Sequence, residues 1–153
     1  MLKLSPSHRS GSTMTSRSEM SFQDVVALNS SARLNRLAGF EVTAAASGAA
    51  EIIMQWSDDL TQYSGHLHAG MIAALLDTAC GFAAVTKAGN VTASHFSMNC
   101  LKPAVGRRFV AKGITVRAGR KQIFAKAELF SEDERGDRTL VATGDTLMVP
   151  LDR

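Results

Sequence analysis

The sequence predicts an α+β domain in which a curved antiparallel sheet wraps round one long central helix. Residues 69–85 read AGMIAALLDTACGFAAV. Apart from Asp77 this stretch is apolar on every side of a helix, which is the pattern of a buried core helix. Four later segments alternate polar and apolar residues with the period of two that is typical of strands, and two more strands precede the helix. A single long apolar helix can cover the apolar face of such a sheet.

Each element follows from the spacing of its apolar residues. Helical spacing predicts a first helix over residues 21–37, which Gly39 ends, and the long helix from Ala69 to about Lys87. Strand-like alternation and the turn residues between segments predict six strands. The predicted strands are residues 40–46, 50–56, 91–101, 109–117, 122–130 and 139–149, with turns at 47–48 and 119–120 and a polar hairpin loop at 131–138.

The length of 153 residues fits one domain with a sizeable core, and we expect it to occupy residues 21–153. Residues 1–20 are rich in Ser and basic residues and contain one acidic residue, so we expect a disordered tail. Two alternatives stay open for this tail. It has the composition of an organellar transit peptide but no amphipathic face, and it could be an extension upstream of a start at Met14 or Met20.

Composition limits the classes of partner. Hydrophobic residues make up 45% of the chain and charged residues 20%, with a formal net charge of +3. The scattered basic residues do not indicate nucleic-acid binding, although they suit an anionic small molecule. Asp77 interrupts the most apolar stretch, so no membrane span is expected. Cys80 and Cys100 lack metal or redox spacing and are expected to be reduced core residues, which favours the cytoplasm.

The residues at the start of the long helix suggest a reactive site. Residues 62–70 read QYSGHLHAG and lead directly into the helix. A helix N-terminus presents unpaired N–H groups and the positive end of the dipole, so it suits an anion or a developing oxyanion. A carboxylate inside an apolar helix is costly unless it is paired, hydrogen-bonded or functional. Asp77 is therefore a candidate catalytic acid or base, although a buried structural acid is the alternative.

These residues resemble the hotdog-fold thioesterases of the phenylacetate-degradation (PaaI-like) group. The resemblance covers residues 21–149 and includes residues 91–104 (VTASHFSMNCLKPA), AGRKQIFAKAEL and the final LVATGD. It rests mainly on the run Gln62-x-x-Gly65-x-x-His68-Ala69-Gly70 with Asp77 nine residues after His68. The resemblance implies a hotdog fold and hydrolysis of a CoA thioester to the free acid and CoA, without a metal or other cofactor. Aryl or arylacetyl thioesters are the first expectation.

The resemblance also implies catalytic roles. Asp77 would be the base for water, or the nucleophile of a mixed anhydride, and both routes stay open. The backbone N–H groups of Ala69 and Gly70 would form the oxyanion hole, although the group usually has Gly where this chain has Ala69. Gln62 would orient the thioester or the water, or else cap the loop. His68 would shape the loop, and no metal is expected because His66 and His68 lack a third ligand.

Six further positions are expected to bind substrate. Phe82, together with Phe96 and the N-terminal helix, would form the acyl pocket wall. A polar strand residue would lie near the site, and basic residues would meet CoA phosphates. Solvated strand-end charges are the alternative for the basic residues. These positions are Gly65, Phe82, His95, Arg107, Arg108 and Arg120.

The distance along the helix predicts a homodimer. Ala69 and Asp77 are eight residues apart, which separates them by about 12 Å along the helix axis. Asp77 therefore cannot reach a carbonyl held at the N-terminus of its own helix. We expect two composite sites in a homodimer, and a dimer of dimers would agree with the resemblance.

Two other functions stay open. A hotdog hydratase or dehydratase acting on acyl thioesters would need a His-Phe-Pro type signature, which the sequence lacks. A non-catalytic acyl-CoA-binding protein is the second alternative, and Ala69 is the feature that favours it.

Overall fold

The computed structural model describes residues 17–151, which form two short helices, one long helix and six strands. The helices are α1 (Phe22–Ser31), α2 (Arg33–Ala38) and α3 (Ala69–Ala88). The strands are β1 (Glu41–Ala46), β2 (Ala49–Gln55), β3 (Val91–Cys100), β4 (Arg108–Ala118), β5 (Ile123–Glu132) and β6 (Arg138–Pro150). All eight predicted elements are present, and the first predicted helix is divided into two.

The strands form one antiparallel sheet in the order β1-β2-β4-β5-β6-β3. Helix α3 packs across one face of this sheet, and the α+β hotdog architecture predicted from the sequence is confirmed. Strand β3 lies at one edge, where it pairs with β6 and with no other strand among residues 17–151. The cavity described below lies between this edge and α3.

The core lies between α3 and the inner face of the sheet. The inward positions alternate along β5, where Ile123 and Leu129 are fully buried, as the predicted period of two requires. Gly113 and Gly144 allow the helix to lie close to the sheet. A Cβ atom on Gly113 would lie 2.2 Å from the carbonyl oxygen of Ala79, so no larger residue fits there without a shift of the backbone.

The N-terminal helix differs from the prediction. Ala32 adopts an extended conformation (φ −78°, ψ 118°), which separates α1 from α2. The buried amide of Asn29 donates to the Phe40 carbonyl and accepts from Asn35, so the polar residues at this break bind the two helices together. Gly39 ends α2 in the left-handed region (φ 72°), as predicted.

Residues 17–20 correct the predicted tail. The Met20 N–H donates to the Val85 carbonyl, and the Arg17 guanidinium donates to the Arg120 carbonyl at 2.6 Å. These residues therefore cover the C-terminal end of α3, and the prediction of a disordered tail is wrong for them. The rest of the predicted tail lies outside the described residues.

Helix α3 is long and apolar enough to cross a membrane, with 20 residues and a mean hydropathy of 1.6 over its most apolar window. Its largest side chains pack against the sheet, which is how the core helix of a globular domain is buried. Of the two free cysteines, Cys80 is buried in α3 as expected. Cys100 is exposed at the end of the edge strand, so its prediction as a core residue is wrong.

Candidate active site

The loop before α3 is held by backbone hydrogen bonds. Leu67 donates to Ala104, and His68 donates to Leu60, so the loop is fixed to two other segments. Gly65 makes its turn with φ 78°, a conformation that favours glycine. The loop thereby delivers His68 to the N-cap position of α3 in an extended conformation.

His68 accepts hydrogen bonds from most of the N–H groups in the first turn of α3. Its Nδ1 accepts a hydrogen bond from the Gly70 N–H at 2.8 Å. Its carbonyl oxygen accepts from the N–H groups of Met71 and Ile72. Three of the first four N–H groups therefore have acceptors on His68. The fourth belongs to Ala69, the first residue of α3, whose N–H has no intrahelical acceptor.

These contacts change the predicted oxyanion hole. Because the Gly70 N–H already donates to His68, the predicted oxyanion hole would have the Ala69 N–H as its donor within residues 17–151, without a second one from Gly70. The bond between His68 and Gly70 orients the first turn, which is the kind of contact expected of a loop-shaping residue. With Nδ1 as acceptor, the neutral imidazole carries its proton on Nε2.

Gln62 makes its contacts within the loop. Its side-chain carbonyl accepts from the Ser64 N–H, and its amide nitrogen lies 2.6 Å from His66 Nε2. These contacts correspond to the loop-capping alternative for Gln62. The amide is also absent from the residues that line the cavity beside Asp77, which are given below.

A cavity of about 390 Å³ runs along α3 towards Asp77. Its helical wall begins at Gly70 and ends at Asp77, and its other wall is the edge strand β3. The lining residues are Gly70, Ala73, Ala74, Asp77, Ala93, Ser94, His95 and Phe96. Most of them are small or apolar, and Asp77 is the carboxylate among them. The cavity thus joins the N-terminal region of α3 to an acidic side chain.

Asp77 is half-buried, and burial raises the pKa of its carboxyl group above the ordinary value. The Thr146 hydroxyl, 3.5 Å from Asp77 Oδ1, opposes this change and lowers the pKa. The net change is upward, which is the direction expected for a carboxylate that acts as a general base. Sequence reasoning missed Thr146, because its contact with Asp77 joins residues 69 positions apart.

A β-bulge positions the strand wall of the cavity. Ala93 pairs with Met148 and His95 pairs with Leu147, so Ser94 is an extra residue in β3. Bulges re-aim side chains next to active sites. Four consecutive residues of β3 consequently line the cavity, including the predicted His95.

Phe82 lies away from this cavity. It is 6% exposed in the core and does not belong to the cavity lining, so its predicted role as the wall of the acyl pocket is not supported by its position. Phe96 on β3, the other aromatic residue expected in the pocket wall, does line the cavity. The difference follows from helix geometry, since five residues beyond Asp77 correspond to a rotation of about 140°.

The predicted phosphate-binding arginines have other partners. Arg107 and Arg108 both bind the carboxylate of Glu132, at 2.6 and 2.7 Å, and Arg138 binds it at 3.1 Å. Hydrogen bonds from Arg108 and the other two arginines lower the pKa of Glu132 to about 2. The cluster fixes the ends of β4, β5 and β6 together. Sequence analysis placed Glu132 in the polar hairpin loop, whereas it is buried at the end of β5.

Arg120 lies in the turn between β4 and β5, where its carbonyl accepts from Arg17 near the end of α3. Arg120 therefore lies near the C-terminal end of α3, at the opposite end of this helix from the Ala69 N–H of the same chain. Among residues 17–151, no three His, Cys, Asp or Glu side chains lie together as metal ligands.

Comparisons with known proteins found a family-model match and structures that share the fold. The thioesterase superfamily model matches residues 64–137, a range that contains the loop from Ser64 onward, α3 and strands β3 to β5. A comparison with curated proteins found no match.

Solved structures share the fold over most of the chain. A thioesterase family protein from Silicibacter pomeroyi is 29% identical, with a TM-score of 0.79 over 83% of this chain and 95% of the other. A mutant of the phenylacetic acid degradation protein PaaI from Thermus thermophilus is 26% identical, with a TM-score of 0.71 over 78% and 100%. The E. coli PaaI protein is 17% identical, with a TM-score of 0.77 over 86% and 93%, and supports the fold alone.

Proposed function

Because this chain has the hotdog fold and matches the thioesterase superfamily model over residues 64–137, we propose that it hydrolyses acyl-CoA thioesters to the free acid and CoA. The observation that carries this proposal is the half-buried Asp77 in a cavity that begins at the first turn of α3. Thioester hydrolysis needs a donor for the developing oxyanion and a group that activates the attacking water. The Ala69 N–H and the Asp77 carboxylate are groups of these two kinds.

In the general-base route, the Asp77 carboxylate takes a proton from water as the water oxygen bonds to the thioester carbonyl carbon. The carbonyl oxygen gains the negative charge and accepts a hydrogen bond from the Ala69 N–H. Collapse of the tetrahedral intermediate breaks the C–S bond, and the thiolate of CoA leaves and receives the proton. The raised pKa of Asp77 favours this route, because a general base is most effective when its pKa is near the working pH.

In the nucleophilic route, an oxygen of Asp77 bonds to the carbonyl carbon and expels the thiolate. Water then hydrolyses the resulting mixed anhydride and regenerates the carboxylate. Both routes use the same two groups. Incubation in ¹⁸O-labelled water under single-turnover conditions distinguishes them, because only the anhydride route can leave the label in Asp77.

The two groups must come from different subunits. Along α3 the Ala69 N–H and Asp77 of one chain are separated by about 12 Å, which is too far for both to contact one carbonyl. The edge strand β3 supports a dimer, since it is ten residues long, largely exposed and paired on one side only. Such an edge is a template for pairing with a second strand. We therefore propose a homodimer in which Ala69 of one subunit and Asp77 of the other complete each site; a dimer of dimers is compatible with it.

The cavity indicates which acyl groups to test. Gly70, Ala73 and Ala74 leave space beside the helix, and Phe96 offers an aromatic surface on the opposite wall. Flat aromatic rings pack well against an aromatic side chain. Aryl and arylacetyl thioesters are therefore the first substrates to try, in agreement with the sequence-based expectation.

The test is release of free thiol from short-chain, long-chain, benzoyl and phenylacetyl-CoA by wild-type protein and by Asp77→Asn. We expect the substitution to reduce kcat by about 10²–10⁴-fold, the usual contribution of a positioned acid or base. Asp59→Asn is the matched control, because it removes an exposed carboxylate outside the cavity. Saturable acyl-CoA binding without turnover would contradict the proposal and would support the binding-protein alternative, for which the single free donor at Ala69 is the structural argument.

A further inference from the structure

We propose that Thr146 is a positioning residue for Asp77, whose carboxylate it orients towards the attacking water. This inference rests on the proposed function, because it assigns Thr146 a role in the same reaction. Thr146 is not in the loop or helix that carries the sequence resemblance. It reaches the site from β6, the strand next to the edge.

The Thr146 hydroxyl must be the donor in its contact with Asp77. Its Oγ1 lies 3.5 Å from Asp77 Oδ1, and an ionised carboxylate can only accept hydrogen bonds. This distance is at the outer limit for a hydrogen bond. Catalytic hydrogen bonds are often long without substrate and shorten in the complex. We therefore expect the contact to shorten when a thioester occupies the cavity.

The surroundings hold the Thr146 side chain in place. The residue is 2% exposed and lies between Ala125 of β5 and Phe96 of β3 in the sheet register. The Cys80 side chain lies one helical turn beyond Asp77, and the same hydroxyl lowers the pKa of its thiol, against the larger effect of burial that raises it. Thr146 thus connects two residues of α3 that face β6.

The electrostatic consequence has a definite sign. Burial raises the pKa of Asp77, and the contact with Thr146 lowers it. The other titratable groups around Asp77 are Cys80 on α3, Asp145 on β6 and His95 on β3. Without the Thr146 hydroxyl, desolvation is unopposed, so the carboxyl group should keep its proton to higher pH.

The experiment compares Thr146→Val, which removes the hydroxyl and keeps the β-branched shape, with Thr146→Ser, which keeps the hydroxyl. For Thr146→Val we expect kcat/KM at pH 7 to fall about tenfold, the contribution of a hydrogen bond to a charged group, and the acid limb of the pH–rate profile to move to higher pH. Thr146→Ser should retain the wild-type profile. Thr146→Ala replaces the valine variant if the latter is poorly folded.

Carbon-13 NMR titration of the Asp77 carboxyl group gives a readout that needs no catalysis. We expect its midpoint to lie at higher pH in Thr146→Val than in wild type and Thr146→Ser. Identical midpoints and superimposable pH–rate profiles would overturn the inference, even if the valine variant were less stable. If the wild-type protein hydrolysed no thioester, the proposed function would fail, and the titration would still decide whether Thr146 controls the carboxylate.

Discussion

Apart from Asp77, the two faces of α3 are both apolar in sequence, and they differ in what they contact. The face towards the sheet carries Leu75, Leu76 and Ala79, which are fully buried. The face along the cavity carries Gly70, Ala73, Ala74, Asp77 and Gly81, of which only Asp77 has a long polar side chain, and all five are at least partly exposed. One face is therefore built for packing. The other leaves space beside a carboxylate.

Side-chain size, rather than hydropathy, separates these faces. Alanine and glycine are apolar enough to keep the whole helix hydrophobic, but they fill little volume against a neighbouring element. Space thus remains for a ligand or a second subunit without any exposed large apolar residue on α3. Substitutions on the face along the cavity, which we call the small face, should therefore affect activity or assembly. Substitutions on the face towards the sheet, the packed face, should affect stability.

The largest of these effects is expected at Ala69, the residue directly before the small face. Ala69→Pro removes the N–H proposed to bind the oxyanion, while proline is well accepted at the first position of a helix. His68 already has the extended conformation (φ −62°, ψ 137°) that a residue before proline prefers. We expect kcat to fall by about 10²–10³-fold, the usual loss for one oxyanion donor, with little change in the thermal unfolding midpoint.

Ala69→Gly is the matched control, since it keeps the N–H and should retain most activity. Co-expression of Ala69→Pro and Asp77→Asn subunits tests the composite site. A mixed dimer has one intact site, so a statistical mixture should recover about a quarter of the wild-type activity. Recovery of none, with mixed dimers present, would place both groups of one site in the same chain.

On the packed face, the sharpest test is Gly113→Ala. The added Cβ would meet the Ala79 carbonyl oxygen at 2.2 Å, and this oxygen belongs to helix backbone that cannot rotate away. We expect destabilisation of about 3 kcal/mol, at the upper end of the usual cost of overpacking, measured by urea denaturation. A stability equal to wild type would show that α3 can move away from the sheet, and the contrast between the faces would then be weaker than the structure indicates.

The sequence predicted the elements of this fold better than their contacts. The period of two identified all six strands, because each has one face on α3 and one face outwards. Hydropathy alone did not show which face of α3 is open, since both faces are apolar. The break at Ala32 was missed because it depends on the contact of Asn29 with the distant Phe40 carbonyl.

The candidate site was predictable only where its residues are close in sequence. The loop and Asp77 were identified from one continuous segment. The bond between His68 and Gly70 depends on a side-chain rotamer, and the approach of Thr146 to Asp77 depends on the order of strands in the sheet. Glu132 was misplaced because a charged residue beside a polar loop normally faces solvent, whereas three arginines surround it here.

A smaller effect is expected at Gly81, one turn beyond Asp77 on the small face. A Cβ at this position meets no atom within 4 Å in the single chain. Gly81→Ala should therefore stabilise the helix by about 0.5–1 kcal/mol in urea denaturation at a fixed protein concentration. Destabilisation, or a shift towards monomer in analytical ultracentrifugation, would instead show that a second subunit packs on this part of α3.

The smallest effect is expected on stability, because Asp77→Asn removes the free-energy cost of burying an ionised carboxylate. Burial raises the folded-state pKa of Asp77, so its contribution to stability is fully present below the unfolded value of about 3.9 and is lost as the pH rises through the folded value. The side chain of Asn carries no charge, so Asp77→Asn should not lose this stability as the pH rises. We expect the variant to be slightly more stable than wild type at pH 7, with the difference decreasing towards pH 4. Urea midpoints at matched protein concentration across this range provide the measurement. A variant that is less stable at pH 7 would mean that the carboxylate is stabilised by its surroundings, and the small face would then be a second packing surface rather than a site kept open for chemistry.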